Sequence, residues 1–105
     1  MAKFLIRAKY TSQGIRGAVA EGFASREKYL RELVDSLGGT TELWYFSYGP
    51  DDVIVVLDAE PAAAQAISLA VNQSGSVELS LTPLITSAEL DEARGKLPDY
   101  RAPGA

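Results

Sequence analysis

The side chains of this chain that could do chemistry are few, and they gather around two stretches. Asp51 and Asp52 are adjacent and could form an acid/base or metal-binding pair. Neighbouring residues on an extended chain point to opposite sides, however, and aspartate in a turn commonly bonds nearby backbone. The structural reading of that pair is favoured. Tyr10, Tyr45 and Tyr48 could line a pocket for an aromatic or planar ligand, in competition with ordinary packing on a half-buried sheet. Arg7 and Lys9, two residues apart, could hold an anion, and a cross-strand pair with Glu78 is the plainer alternative. Gly14-Ile15-Arg16-Gly17 has the shape of a backbone clamp for RNA.

Composition removes several chemistries. Net charge is −4 and the isoelectric point about 4.7, against the basic footprint that nucleic-acid binding requires. No cysteine and no histidine occur in the 105 residues, so thiolate chemistry, disulfides and the usual neutral-pH base are missing. No P-loop, dinucleotide fingerprint, nucleophile elbow or metal-ligand cluster is present. No cofactor and no metal are expected. No apolar run reaches membrane-spanning length, and the first residues alternate like a strand rather than a signal peptide. A cytoplasmic location is the expectation, with no membrane and no nucleic acid among the partners.

The elements that must position these residues follow from periodicity. Thr41–Asp58 reads as a β-hairpin, rich in aromatics before Gly49-Pro50-Asp51-Asp52 and in Val, Ile and Leu after it. With Pro50 and Asp51 as the two turn residues, Tyr48 pairs with Val53, Phe46 with Val55 and Trp44 with Leu57. Tyr45 pairs with Val56 and Ser47 with Ile54 on the other side. Val53–Leu57 does not alternate, which predicts a central strand covered on both faces.

Lys3–Tyr10 alternates, placing Phe4, Ile6, Ala8 and Tyr10 on one face and Leu5, Arg7 and Lys9 on the other. Thr11–Ala24 is glycine-rich and predicts one helical turn near Ser12–Val19, then a loop. Ser25 is the expected cap of a helix to Leu37, with Leu30, Leu33, Val34 and Leu37 as its apolar stripe and Gly38-Gly39 as its stop. Pro61 opens a second helix to Asn72, packed through Ile67, Ala70 and Val71. Ser76–Leu84 alternates again, with Val77, Leu79 and Leu81 inward. Ser87 is the expected cap of a short helix over Ala88–Lys96.

This order is βαββαβ plus a terminal helix. Right-handed crossovers place both main helices on one face of a four-stranded antiparallel sheet, a ferredoxin-like α+β fold over residues 1–97 with a flexible tail over 98–105. The other face stays open, with Arg7, Lys9, Glu78, Ser80, Tyr45, Ser47, Ile54 and Val56 as its expected residues. Four short strands span roughly 400 Å² in projection. At ~25 cal/mol/Å² that area contributes at most some 10 kcal/mol before association costs. A second copy, sheet against sheet, is the expected cover.

Several local patterns together resemble the GYD-domain family of small bacterial proteins, from about Lys3 to Leu90. They are Tyr10-Thr11 with Gln13-Gly14-Ile15, Leu37-Gly38-Gly39, then Tyr45, Ser47, Gly49 and Asp52, then Glu60-Pro61 and Gly75-Ser76-Val77. The family's eponymous Gly-x-Tyr-Asp would place tyrosine at position 51, where this chain has Asp51. The resemblance implies a dimeric α/β barrel akin to stress-responsive barrel proteins and small monooxygenase-like enzymes, with no established activity of its own. Two functions are weighed. One is a self-associating domain that binds a small ligand. The other is a small cofactor-independent enzyme, monooxygenase-like or isomerase-like, with a pocket on the open sheet face. No catalytic residue is assigned, and the ligand-binding candidates are Tyr10, Arg7, Tyr45, Ser47 and Asp52.

Overall fold

A computed structural model describes residues 1–105. The element order is β1 (Ala2–Tyr10), α1 (Ser12–Glu21), α2 (Phe23–Ser36), β2 (Thr40–Phe46), β3 (Val53–Ala59), α3 (Pro61–Gln73), β4 (Val77–Leu84) and α4 (Ser87–Arg94). The four strands form one antiparallel sheet in the order β2-β3-β1-β4, the ferredoxin-like arrangement expected. β1 and β3 are central. Alternation decides their faces: Phe4, Ile6 and Ala8 of β1 and Val53, Val55 and Leu57 of β3 are buried on the helix side. Leu57 is fully enclosed, and Val34, Ala64 and Ile67 complete the core from the helices. Ala70, expected to pack, is exposed; Ala64, six residues nearer the start of α3, packs instead.

The first crossover carries two helices rather than a helical turn, a loop and a helix. Thr11 is the signal that the glycines obscured: its hydroxyl accepts the Gly14 N–H at 3.2 Å and caps α1. Gly22, at φ +102, ends α1 and begins α2 without a gap. Ser25 therefore lies inside the first turn of α2 and bonds Glu21 rather than capping. The terminal helix likewise starts one residue early. Thr86, not Ser87, is its cap, in a reciprocal box with Glu89.

The start of α1 is clamped to the start of β4. The Thr11 N–H donates to the Ser76 carbonyl at 3.0 Å, and its hydroxyl donates to the Gly75 carbonyl at 2.9 Å. Backbones approach so closely there that a Cβ on Gly14 would lie 1.8 Å from the Ser76 oxygen. On the other side of β4, the Asn72 side chain accepts from the Leu79 N–H at 2.8 Å and donates to its carbonyl at 3.0 Å. One amide thus pairs with the edge strand as another strand would, and it fixes α3 there.

The hairpin differs from its expected register by two residues. Phe46 pairs with Val53, Tyr45 with Ile54 and Trp44 with Val55, so these strand residues keep their expected faces while the partners change. Ser47, expected on the open face, and Tyr48 leave the strand for the loop. Residues 47–52 form a six-residue loop in place of a two-residue turn, because its acids are engaged with β1. The Asp52 N–H donates to the Ala8 carbonyl at 2.8 Å. Asp52 Oδ2 accepts the Tyr10 N–H at 2.9 Å, and Asp51 Oδ2 accepts from Arg7 Nε at 2.8 Å. Further along, Glu42 is the extra residue of a bulge between Thr41 and Leu43, and its carboxylate meets Lys3 Nζ.

The open face is apolar at its centre. Leu43, Val56 and Leu5 form one row across β2, β3 and β1; Tyr45, Ile54 and Arg7 form the next. Leu5 and Leu43 enlarge the patch beyond the residues expected. α4 buries none of its residues, and the radius of gyration is 17.1 Å. A compact chain of this length would have about 13 Å, so the C-terminal segment projects from the body. No helix is long and apolar enough to cross a membrane.

Candidate functional site

The helix layer does not close over the sheet. α2 packs toward β2 and α3 toward β4, so the two straddle the central strands rather than meeting. Between them runs a cleft of about 490 Å³, walled by α1, α2, the second half of α3 and the first residues of β4. Beneath it lies a smaller chamber of about 60 Å³ against the sheet itself. Tyr10, Arg26, Leu30, Leu33, Val71 and Val77 line both, so one wall serves the two spaces.

The chamber is apolar because it borrows the helix faces of the central strands. Ile6, Ala8, Val53 and Val55 form its floor, and Trp44 closes one side. Arg26 is the single charged residue among fifteen in that wall. The Trp44 Nε1–H is buried without a hydrogen-bond partner. At the mouth, Arg26 Nη1 lies 3.6 Å from Glu21 Oε1, and its guanidinium sits 5.4 Å above the Tyr29 ring.

A second, shallower hollow of about 460 Å³ lies at the other end of Tyr10, lined by Ile15, Phe23, Phe46, Ser47, Tyr48 and Asp52. Edge-on aromatic contacts separate it from the cleft. Ring centroids are 6.4 Å apart for Tyr10 and Phe23, 5.3 Å for Phe23 and Phe46, and 5.9 Å for Phe46 and Trp44. Burial pushes the Tyr10 phenol above its ordinary range against the pull of Arg26, while the Asp52 and Glu21 carboxylates add to the rise. Tyr10 therefore remains a neutral hydroxyl at physiological pH, able to donate a hydrogen bond.

Three of the expected site residues meet here, and two do not. Tyr10, Ser47 and Asp52 gather at the hollow, together with Tyr48. Arg7 and Tyr45 stand on the opposite face of the sheet, with Tyr45 two-thirds exposed. No cavity lined by Tyr10 can include them, so the spaces that touch Tyr10 lie under the helices, not on the open face. Arg7 is paired with Asp51 and not with Glu78; Lys9 faces Glu78 across the strands without an ion pair. Asp52 spends one carboxylate oxygen on the Tyr10 backbone, a structural use of that residue.

The residues that reading by type missed are Arg26 and Phe23. Both sit on the first turns of α2, and no local pattern marks an exposed-looking arginine as the one cation of an apolar wall. Only the packing angle of α2 against the sheet places it there.

Neither a curated protein nor a solved structure matches the chain. A family model described as the GYD domain matches residues 4–93, from the first strand to the last turn of α4. The residues that carry the resemblance converge in space: Thr11, Gly14, Gly75 and Ser76 build the clamp between α1 and β4, and Asp52 ties the hairpin loop to Tyr10. Spanning most of the sheet, all three principal helices and that clamp, the match places this chain in the GYD-domain family.

Proposed function

We propose that this chain is a self-associating domain that binds a small molecule in the cleft between α2 and α3. One observation carries the binding half of this reading: the helix layer leaves an open cleft of mixed lining, with a small apolar chamber beneath it over the centre of the sheet. Packed interiors hold few voids larger than a water, and a cleft of several hundred Å³ with a few convergent polar groups is the usual form of a ligand site. The self-association half rests on the open face, where the row Leu43, Val56 and Leu5 lies at the middle of the sheet. An isologous pairing of two such faces removes that row from water in both copies. The projecting α4, with Ile85 and Leu90 exposed, fits the same arrangement, since a second copy offers it a surface that its own body does not.

The enzymatic reading, a small cofactor-independent catalyst, has one observation in its favour: the Tyr10 hydroxyl shares a cavity with a guanidinium. Binding is favoured over it because that phenol stays protonated and no histidine or cysteine is available to move protons or attack. The test is a thermal-shift and tryptophan-fluorescence screen of small organic compounds. Trp44 is the sole tryptophan and lines the chamber, so occupancy should alter its emission. Binding that disappears in Ala70→Phe, which fills the outer cleft from an exposed helix position, supports the site. Binding unaffected by that substitution places the ligand elsewhere and overturns it.

A further inference from the structure

Resting on that reading of the cleft, we propose that its ligand is a small monocarboxylic acid with an apolar body. The carboxylate lies on Arg26 and the Tyr10 hydroxyl, and the body points into the chamber between the sheet and α2. Three observations lead there.

The first is unspent hydrogen-bonding capacity. A guanidinium carries five N–H donors in a fixed fork. Within the protein the Arg26 guanidinium meets only the Tyr10 hydroxyl and Glu21, and its one ionic contact, to Glu21, is 3.6 Å long and partly exposed, so most of its donors are unspent. A pair of that kind is worth about 0–1 kcal/mol, so a better-placed carboxylate displaces it readily. The guanidinium is nonetheless held in place, because it stacks over Tyr29 at 5.4 Å.

The second is where the charge sits. Fourteen of the fifteen residues around the inner chamber are hydrophobic, which leaves Arg26 as the only charge an occupant there can meet. A charge beside a dry wall acts through a lower effective dielectric than one in open water. Its natural complement is an anion attached to something apolar, since a hydrated inorganic anion gains nothing from the wall.

The third concerns valence. There is one cation, with Glu21 beside it. A phosphate monoester carries close to two negative charges and would be opposed by that carboxylate. A carboxylate carries one and matches the guanidinium fork in both charge and shape. The neutral Tyr10 hydroxyl supplies a further donor at the same wall.

The probes are octanoate and 3-phenylpropionate, each compared with its primary amide and its amine analogue. They are titrated against the full chain by Trp44 fluorescence and by calorimetry. The acids should bind at least tenfold more tightly than the amides. That preference should vanish in Arg26→Gln and persist in Arg26→Lys, with Glu21→Gln raising acid affinity several-fold. Melting curves establish that each variant is folded. Amides or amines bound as tightly as acids would overturn the acid assignment while leaving the cleft intact, provided Ala70→Phe still abolishes them. An acid preference that survives Arg26→Gln would place the anion on another residue and overturn the proposal. Failure of every probe to bind would overturn the acid assignment, and a wider screen silent as well would remove the cleft reading with it.

Discussion

Gly14 and Gly17 lie one turn apart on α1 and should respond to the same substitution in opposite directions. A Cβ at Gly17 meets nothing within 4 Å. Gly17→Ala therefore keeps the structure and removes a flexible residue from a helix interior, a gain of about 0.5–1 kcal/mol. At Gly14 the same methyl would lie 1.8 Å from the Ser76 carbonyl oxygen and 2.8 Å from its carbon. Backbone cannot rotate aside as a long side chain can, so α1 must lift from β4 by roughly an ångström, an overpacking cost of about 1–3 kcal/mol. That oxygen also accepts the Thr11 N–H at 3.0 Å, and lifting α1 weakens a bond worth about 1 kcal/mol. After the helix-propensity gain, Gly14→Ala should be destabilised by about 1–3 kcal/mol. The two variants should thus differ by about 2–4 kcal/mol, which for a domain of this size separates their melting points by more than about 8 °C. Urea and thermal unfolding followed by circular dichroism measure this, at one fixed protein concentration, since any self-association would raise apparent stability. Equal midpoints for the two variants would mean that α1 does not press on β4, and the account of the cleft's wall would fall with it.

Ile54→Asp, at the centre of the open face, should give a monomeric or insoluble protein; unchanged mass by light scattering would refute the assigned interface. Asn72→Ala should lose about 1–2 kcal/mol as both bonds to Leu79 disappear, with amide exchange accelerated first at the β4 edge; a wild-type urea midpoint would contradict the strand-like role of that side chain. Tyr10 and Lys3 both hold their protons more firmly folded than unfolded, Tyr10 chiefly through burial and Lys3 chiefly through its bond to Glu42. Their contribution is complete below about pH 10 and is lost as pH rises through the higher folded values. Tyr10→Phe should flatten part of that alkaline loss in a melting series, and an unchanged slope would show that the phenol is not shielded.

The fold was legible because its pattern is repeated at every level. β1 and β4 alternate cleanly, Pro61 and Gly38-Gly39 punctuate the helices, and the strand order follows once both crossovers are right-handed. What resisted reading was contact made across long separations. The hairpin register slipped because Asp51 and Asp52 bond β1, more than forty residues earlier, and so open the turn. α1 was shortened because its glycines, poor helix formers in isolation, are there for the approach to Ser76. Of the cleft, only Tyr10 was visible as a residue type; Ser47 and Asp52 share a separate hollow with it. Arg7 and Tyr45 do lie on the open face, as their alternation places them, whereas the spaces lined by Tyr10 lie under the helices. Arg26 gave no local signal, since an arginine in the first turns of a helix usually belongs to solvent.

The position of β1 has a consequence for how the molecule is made. β1 lies in the middle of the sheet, yet its hydrogen-bonding neighbours are distant in sequence: β3 begins at Val53 and β4 at Val77. Phe4 and Ile6 are buried only once β3, β4 and the helices have come together over them. Ordering such distant segments is slow, and it leaves a window in which nascent chains are prone to stick to one another. Truncations upstream of β4 should therefore yield aggregates rather than smaller stable pieces, because β1 loses one of its two hydrogen-bonding neighbours.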